Sequence, residues 1–356
     1  MSANHAVKVA VVGCGVIAAV YAREMQSYDN LELYGCFDID PEKSKKLADD
    51  FGGKTFDTYG ALLADPEVEV VLNLTILPAH FEISKAALEA GKHVFSEKPL
   101  AATSEEARDL VNTAKANGVR LGCAPITFLG DAQQRALREL HVGTIGQVRA
   151  IYAETNHGRI ETWHPTPFSF YDIGPLRDVG VYPLTVITSI FGPAKRVWAY
   201  GSVLRKDRIS KRDVPFEVNA PDWYVVVIEL ASGPVVRLTC SFYVTHTSKQ
   251  VGIEFHGDTG QLYLSSWVEP SAKLEVGQFG KAYESLPDYT PTEKPFRYAL
   301  GLSEMAAAIR ENRPHRASGE QAAHIVDLLD AAHRSIEQGG PVELTSTFTP
   351  APPMED

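Results

Sequence analysis

The strongest constraint on the fold lies near the start of the chain. The apolar run Val7-Lys8-Val9-Ala10-Val11-Val12 turns at Gly13-Cys14-Gly15-Val16-Ile17-Ala18 into a helix-like stretch. A buried strand feeding a helix through such a turn leaves bare backbone amides and a helix N-terminus at the strand's carboxyl end, an arrangement that binds anions. Gly13 permits the turn, Gly15 lets a pyrophosphate approach the backbone, and Ala18 allows close helix packing. The second strand ends at Phe37-Asp38-Ile39, so Asp38 stands 25 residues after Gly13. That is near the spacing at which an acidic residue accepts the ribose hydroxyls of a dinucleotide. Asp38 would repel a 2′-phosphate and Ile39 offers it no cation, so NAD is favoured over NADP. Asp40-Pro41-Glu42 reads instead as an N-cap with proline in the first helical turn.

Around this turn the chain has two rhythms. From Val7 to about Cys123, short apolar strands alternate with helix-like stretches, several closed by glycine (Gly52, Gly91, Gly118), which predicts a doubly wound parallel sheet. After Gly130 come one helix and a β-rich stretch, expected to form a large open, mostly antiparallel sheet with one covered face. The segment from Gly174 to Phe191 has helical apolar spacing, and helices are predicted near 297–311 and 318–338. The expected division is an α/β Rossmann domain over 6–124, an α+β substrate and oligomerisation domain over 125–345, and a proline-rich tail over 346–356 expected to fray. Lys plus Arg number 34 against 45 Asp plus Glu, a net charge of −11, which argues against nucleic acid as a partner. No run is apolar enough to span a bilayer and no signal-peptide layout opens the chain, so a cytoplasmic protein without membrane partners is expected. The four cysteines are widely spaced and suit buried small hydrophobes, and no metal signature is present.

Further motifs follow in order: Thr75-Ile76-Leu77-Pro78-Ala79-His80, Ala90-Gly91-Lys92-His93-Val94, Glu97-Lys98-Pro99 and Asp178-Val179-Gly180-Val181-Tyr182. Together with the glycine fingerprint they resemble the Gfo/Idh/MocA oxidoreductases, named for glucose-fructose oxidoreductase and inositol dehydrogenase, over almost the whole chain. The resemblance implies a dehydrogenase or reductase that moves hydride between NAD and a carbinol or carbonyl carbon of a sugar, sugar derivative or cyclitol. It implies a homodimer or homotetramer assembled through the C-terminal sheet. By the same resemblance, Gly13, Gly15, Val16, Ile17, Asp38, Ile76, Leu77, Pro78, His80, Glu97 and Lys98 would bind the cofactor. Lys98, Asp178, Tyr182, Trp163 and His164 would meet the small polyhydroxylated substrate.

Lys98, Tyr182 and Asp178 are the catalytic candidates. Many members of the family carry histidine where this chain has Tyr182. A tyrosine ordinarily titrates near 10, so proton exchange at neutral pH requires a neighbouring cation, for which Lys98 is the candidate. Asp178 and Tyr182 are four residues apart and, on one continuous helix after Gly174, would share a face. Trp163 and His164 would offer a sugar ring a stacking face and a hydrogen bond. Arg177 is a candidate for an acidic substituent, and Arg297 and Tyr298 for an approach to the substrate. Family members usually carry Asn near residue 125, where this chain has Ala124-Pro125-Ile126. Two other readings fit the same motifs: an NAD-dependent redox-assisted glycosidase or lyase, and a non-catalytic NAD-sensing module.

Overall fold

The computed structural model describes residues 6–354. Two compact units emerge, one running to Ile126 and taking in Arg297–Val326, the other comprising Thr127–Phe296 and the chain from Asp327 onward.

The first unit is built as β1 (Val7–Val12), α1 (Val16–Met25), β2 (Leu31–Phe37), α2 (Pro41–Phe51), β3 (Lys54–Thr55), α3 (Tyr59–Ala64), β4 (Val70–Asn73), α4 (Leu77–Glu89), β5 (His93–Ser96), α5 (Ser104–Ala116) and β6 (Leu121–Cys123). The strands form one parallel sheet in the order β3-β2-β1-β4-β5-β6. The central strands are buried along their length, as expected of a sheet covered on both faces. Successive strands build away from β1 in one direction and then in the other, so the sheet has its switch point between β1 and β4. The helices start and stop where side-chain chemistry directs. Asp40 accepts the Glu42 amide at 3.2 Å, Thr103 and Glu106 form a capping box, and Gly52, Gly91 and Gly118 close helices at positive φ.

Residues 297–326, which chain order assigned to the second domain, pack in this first unit instead. The helix Leu300–Glu311 lies against β6, where a Cβ on Gly122 would meet the Met305 sulfur at 3.0 Å. Arg310 forks onto both carboxylate oxygens of Glu69 at 2.6 and 2.8 Å, and Asn30 donates to the Ser303 carbonyl at 2.9 Å. A small-residue helix face covering an edge strand is a tertiary choice that linear order cannot reveal.

His93, at the start of β5, is held neutral. Its Nδ1 accepts the Arg120 amide at 2.8 Å, and burial together with the Arg120 charge pushes its pKa down to about 4. The unfolded chain therefore gains this proton first as pH falls. The residue's contribution to stability is intact above about pH 6.5 and erodes toward pH 4, at up to about 1.4 kcal/mol per pH unit. His93→Gln is expected to flatten that portion of the difference between urea-unfolding free energies measured across pH.

The second unit contains α6 (Asp131–Val142), β7 (Val148–Asn156), α7 (Phe168–Asp178), α8 (Val181–Phe191), β8 (Ala194–Ser202), β9 (Asp207–Ile209), β10 (Pro215–Glu217), β11 (Trp223–Leu230), β12 (Val235–Ser241), β13 (Gly252–Gly257), β14 (Gly260–Leu264), β15 (Leu274–Gln278), β16 (Glu284–Ser285) and β17 (Val342–Glu343). Nine strands form one sheet in the order β16-β15-β14-β13-β7-β12-β11-β8-β17, antiparallel throughout except for the parallel β7–β12 pair. Helices α6, α7 and α8 pack against this sheet. Period-two alternation places Tyr152, Trp198, Tyr200 and Val227 on the opposite face, where all four are exposed. The strands β9 and β10 form a separate hairpin.

The tail departs from expectation. Ser346 donates its amide and hydroxyl to Asp327 Oδ2 at 3.2 and 2.6 Å, and the Met354 amide donates to Gln134 Oε1 at 2.7 Å. Proline restricts the chain but leaves these remaining donors free to bond, so the tail is strapped down as far as Met354; Glu355 and Asp356 lie outside the described residues. The four cysteines are free and buried. Among the described residues, no helix is long and apolar enough to cross a membrane.

Candidate active site

At the carboxyl ends of β1, β2, β4 and β5 the first unit gathers the fingerprint turn, Asp38, the Thr75–Pro78 turn and Lys98. Gly13 has φ +90°, and a Cβ there would lie 2.8 Å from the Leu74 carbonyl group and the Thr75 amide nitrogen. Gly15 caps α1 with ordinary φ, and a Cβ there would meet nothing within 4 Å. The space beside Gly15 is thus open to a ligand, whereas the space beside Gly13 is filled by protein. Asp38 receives the Cys14 amide at 2.7 Å and the Asp40 amide at 2.9 Å, one on each carboxylate oxygen. Each oxygen keeps a lone pair for a hydroxyl donor. Val16, Ile39 and Ile76 are 91%, 94% and 73% exposed, an unusual solvation of three large aliphatic residues around one turn cluster. Bare amides, an oriented carboxylate and solvated aliphatic surface fit a dinucleotide.

Gly13→Ala strains a positive-φ position against immovable backbone and is expected to cost about 1–3 kcal/mol in urea unfolding. Gly15→Ala should leave unfolding nearly unchanged and weaken NAD about 10-fold or more in a fluorescence titration, because the added methyl occupies only the approach to the amides.

Lys98 follows β5 in a segment held from several sides. Its amide donates to Glu97 Oε2 at 3.1 Å, while Glu97 Oε1 accepts the Tyr21 hydroxyl at 2.9 Å. Burial and the Glu97 charge push the Tyr21 phenol pKa up, which keeps it a donor. His80 is buried and uses both ring nitrogens on backbone carbonyls, Nδ1 toward Pro99 at 2.7 Å and Nε2 toward Thr75 at 3.0 Å. It therefore ties the Thr75 turn to the Lys98-Pro99 segment and offers no free polar atom to a ligand. Asn73, also buried, donates to the His80 carbonyl and Ser84 Oγ and accepts from the Thr75 amide and hydroxyl. Neither Tyr21 nor Asn73 was singled out in the sequence, since a buried polar residue at the end of an apolar run carries no motif. Leu77 and Pro78 open α4, Leu77 partly buried and Pro78 exposed.

In the second unit the motif from Asp178 to Tyr182 does not lie on one helix. Gly174 breaks the first helix at φ +77°, ψ 159°, α7 ends at Asp178, and α8 begins at Val181. The Tyr182 amide donates to the Val179 carbonyl at 3.3 Å, so no i to i−4 bond joins Tyr182 to Asp178. Only glycine fits at this junction, since a Cβ on Gly180 would sit 2.5 Å from the Leu176 carbonyl oxygen and 3.0 Å from Cys240 Sγ. The single continuous helix expected here is therefore replaced by two helices, with Asp178 and Tyr182 on either side of the turn between them. From Val181 to Ile190, Tyr182 is alone in not being buried. Its ring is stacked on Trp267, with centroids 5.2 Å apart and planes at 29°, and the Trp267 indole N–H is anchored to the Glu154 carbonyl at 3.0 Å. Trp267 lies far along the chain and only the fold brings it to Tyr182.

The Trp163-His164 loop belongs to the same unit. Trp163 is 46% exposed and meets His157, His164 and Phe170 edge-on. His164 Nδ1 accepts the Thr166 amide at 3.1 Å, which leaves Nε2 as the outward atom. Beneath the loop, Tyr171 packs with Ile160, Val179, Val218 and Phe242, and Tyr182 rests on the same cluster. Two secondary candidates are withdrawn. Arg177 is paired with Asp330, and Arg297 donates to Ser27 Oγ at 3.2 Å beyond the C-terminal end of α1, the end opposite the fingerprint turn. Tyr298 packs against Tyr21 at 5.9 Å.

Residues 7–124 match the profile of an oxidoreductase family with an NAD-binding Rossmann fold, and residues 134–263 match the GFO/IDH/MocA C-terminal domain. The chain is 31% identical over 283 residues to the dTDP-3,4-didehydro-2,6-dideoxy-alpha-D-glucose 3-reductase of Actinomadura kijaniata, covering 76% of this chain and 77% of that one. It is 26% identical over 352 residues to the myo-inositol 2-dehydrogenase of Thermotoga maritima, covering 95% and 98%. Among solved structures, a levoglucosan dehydrogenase in complex with NADH and L-sorbose superposes with a TM-score of 0.81 at 19% identity, covering 96% of this chain and all of that one.

Proposed function

Since the chain belongs to the Gfo/Idh/MocA oxidoreductase family, we propose that it is an NAD-dependent dehydrogenase or reductase of a sugar, sugar derivative or cyclitol, with Lys98 and Tyr182 as its acid–base couple. The observation that carries this reading is the cluster at the sheet's carboxyl edge, where open amides at Gly15, the doubly oriented Asp38 carboxylate and Lys98 stand together. The names of the two relatives, a sugar-nucleotide reductase and an inositol dehydrogenase, support the substrate class. Bound at this edge, the dinucleotide supplies hydride exchange with a substrate carbon.

The protein's own groups have separate tasks. The Gly13–Ala18 turn holds phosphate, and Asp38 accepts ribose hydroxyls and disfavours a 2′-phosphate. Tyr182 exchanges a proton with the substrate oxygen, and the Lys98 ammonium favours the phenolate form that makes this possible near neutral pH. Asp178 orients hydroxyls, and Trp163 and His164 present a ring face and a donor to the sugar. The test is a screen of aldoses, inositols and keto-sugars for absorbance change with NAD and with NADP. Turnover with NAD and at least one of these classes is expected. A protein that binds NAD yet turns over none of them refutes the reading, and product without NADH accumulation would establish the redox-assisted lyase instead.

Oligomerisation through the sheet face carrying Tyr152, Trp198, Tyr200 and Val227 belongs to the same proposal. Trp198 and Tyr200 on β8 and Val227 on the adjacent β11 form an exposed apolar patch of the kind that a second copy buries, with Tyr152 two strands farther on beyond Arg237. Trp198→Glu combined with Tyr200→Glu is expected to lower the mass in light scattering by at least half with the circular dichroism spectrum retained.

A further inference from the structure

The second unit holds two arginines against the ring of Tyr243, and their circumstances differ. The Arg208 guanidinium lies 5.7 Å from the ring centroid and is fully buried, its charge met by Asp222, by Glu161 at 2.8 Å, and by the Tyr171 hydroxyl at 3.0 Å. The Arg159 guanidinium lies 5.9 Å from the same centroid and is partly exposed. Among the described residues no carboxylate pairs with it. Its backbone, by contrast, is fixed. The His157 and Gly158 amides donate to the Ser241 and Val244 carbonyls at 2.9 Å each, and the Arg159 carbonyl accepts the Thr162 amide and hydroxyl at 3.1 and 2.7 Å. A guanidinium laid on an aromatic face, with a rigid base and unused donors, is prepared for an oxyanion.

The surroundings support the same reading. His157 meets Trp163 at 5.7 Å and the Arg159 carbonyl holds Thr162, so Arg159 belongs to the same folded loop as Trp163 and His164. The hairpin bearing Arg208 carries Arg205, Lys206, Lys211 and Arg212 alongside Asp207, Asp213 and Glu217, with Lys206 paired to Glu217 at 3.0 Å. The general field of a chain of net charge −11 disfavours anions, so a cation held without a carboxylate partner marks a local exception.

Resting on the reading of the Trp163-His164 wall as substrate surface, we propose that the substrate is an anionic sugar or cyclitol and that Arg159 receives its carboxylate or phosphate. Arg159 is then the residue that separates acidic from neutral substrates.

The test uses the NAD-loaded protein with matched probes: glucose, glucuronate and glucose 6-phosphate, and inositol beside inositol 1-phosphate. Binding is read by saturation-transfer NMR and turnover by NADH absorbance. An acidic member of at least one series is expected to exceed its neutral parent about 10-fold or more in affinity, with the advantage falling as salt rises. Which of the two acidic glucose derivatives wins identifies the anion as carboxylate or phosphate. Arg159→Gln should erase the acidic advantage by about 10- to 100-fold while moving the neutral member less than about 3-fold, and Arg159→Lys should keep part of it. Equal binding of neutral and acidic probes, or failure of every acidic probe to bind, overturns the proposal. So does an Arg159→Gln protein of lowered melting temperature and unchanged selectivity, which would assign Arg159 to offsetting the charge of the buried Glu161 and Asp222. Acid-selective binding without any turnover would leave Arg159 standing and remove the dehydrogenase reading instead.

Discussion

Tyr182→Phe is expected to reduce turnover by about 10²- to 10⁴-fold, the range over which a positioned proton-exchanging group contributes, with NAD affinity changed less than about 3-fold. The substitution is informative because of where the ring sits. Tyr182 stacks on Trp267 and rests on the Tyr171 and Phe242 cluster, contacts that a phenylalanine ring keeps. Only the hydroxyl is lost, so intrinsic Trp fluorescence and the unfolding midpoint should stay near those of the parent protein. Lys98→Ala should give a loss of similar size and shift the ascending limb of the pH–rate profile for alcohol oxidation to higher pH in whatever activity remains, because the phenol then keeps its proton to higher pH. Asp178→Asn should cost less, since an amide still orients hydroxyls. Unchanged turnover in Tyr182→Phe removes that residue from the mechanism, and unchanged turnover in Lys98→Ala breaks the couple.

The parts of this site that were legible in the sequence share a physical origin. Gly13, Gly15 and Asp38 are dictated locally, by a strand that must turn, a helix that must start and a carboxylate at the next strand's end, and each stands where that logic puts it. The βα alternation likewise fixed a parallel sheet, because strands buried on both faces must be apolar throughout. What escaped was tertiary. Asp178 and Tyr182 have helical spacing, yet the helix stops and restarts between them at Gly180, a position where Leu176 and Cys240 leave no room for a Cβ. Residues 297–326 return to the first unit because β6 is an edge strand in need of cover. Trp267 and Glu161 act through partners distant in sequence, and no spacing rule connects such pairs. His80 was visible as a motif residue but not as a brace, since only coordinates show that both its nitrogens face carbonyls.

Arg208→Met carries the largest expected stability effect. The Arg208 and Asp222 side chains are fully buried and that of Glu161 is 8% exposed, so removing the guanidinium strands two carboxylates away from water. Breaking a buried pair in this way costs about 3–5 kcal/mol, roughly 10 °C in melting temperature for a unit of this size. The network also joins five segments. Asp222 accepts the Leu204 amide at 2.7 Å, Arg208 donates to the Arg205 carbonyl at 3.1 Å, Glu161 accepts the Tyr171 hydroxyl, and the Tyr171 ring meets Phe242 at 5.7 Å. Stability and loop geometry should therefore fail together, with near-ultraviolet circular dichroism altered and KM raised more than kcat is lowered. A buried carboxylate without a partner is best neutralised by a proton, so the deficit should be largest near neutral pH and shrink as pH falls through the carboxylate range. Adding Asp222→Asn and Glu161→Gln to Arg208→Met removes both stranded charges and should recover most of the lost stability. If the triple variant is as stable as the parent while KM stays raised, the ionic network serves to place the Trp163-His164 loop, because stability alone does not require charge at these positions.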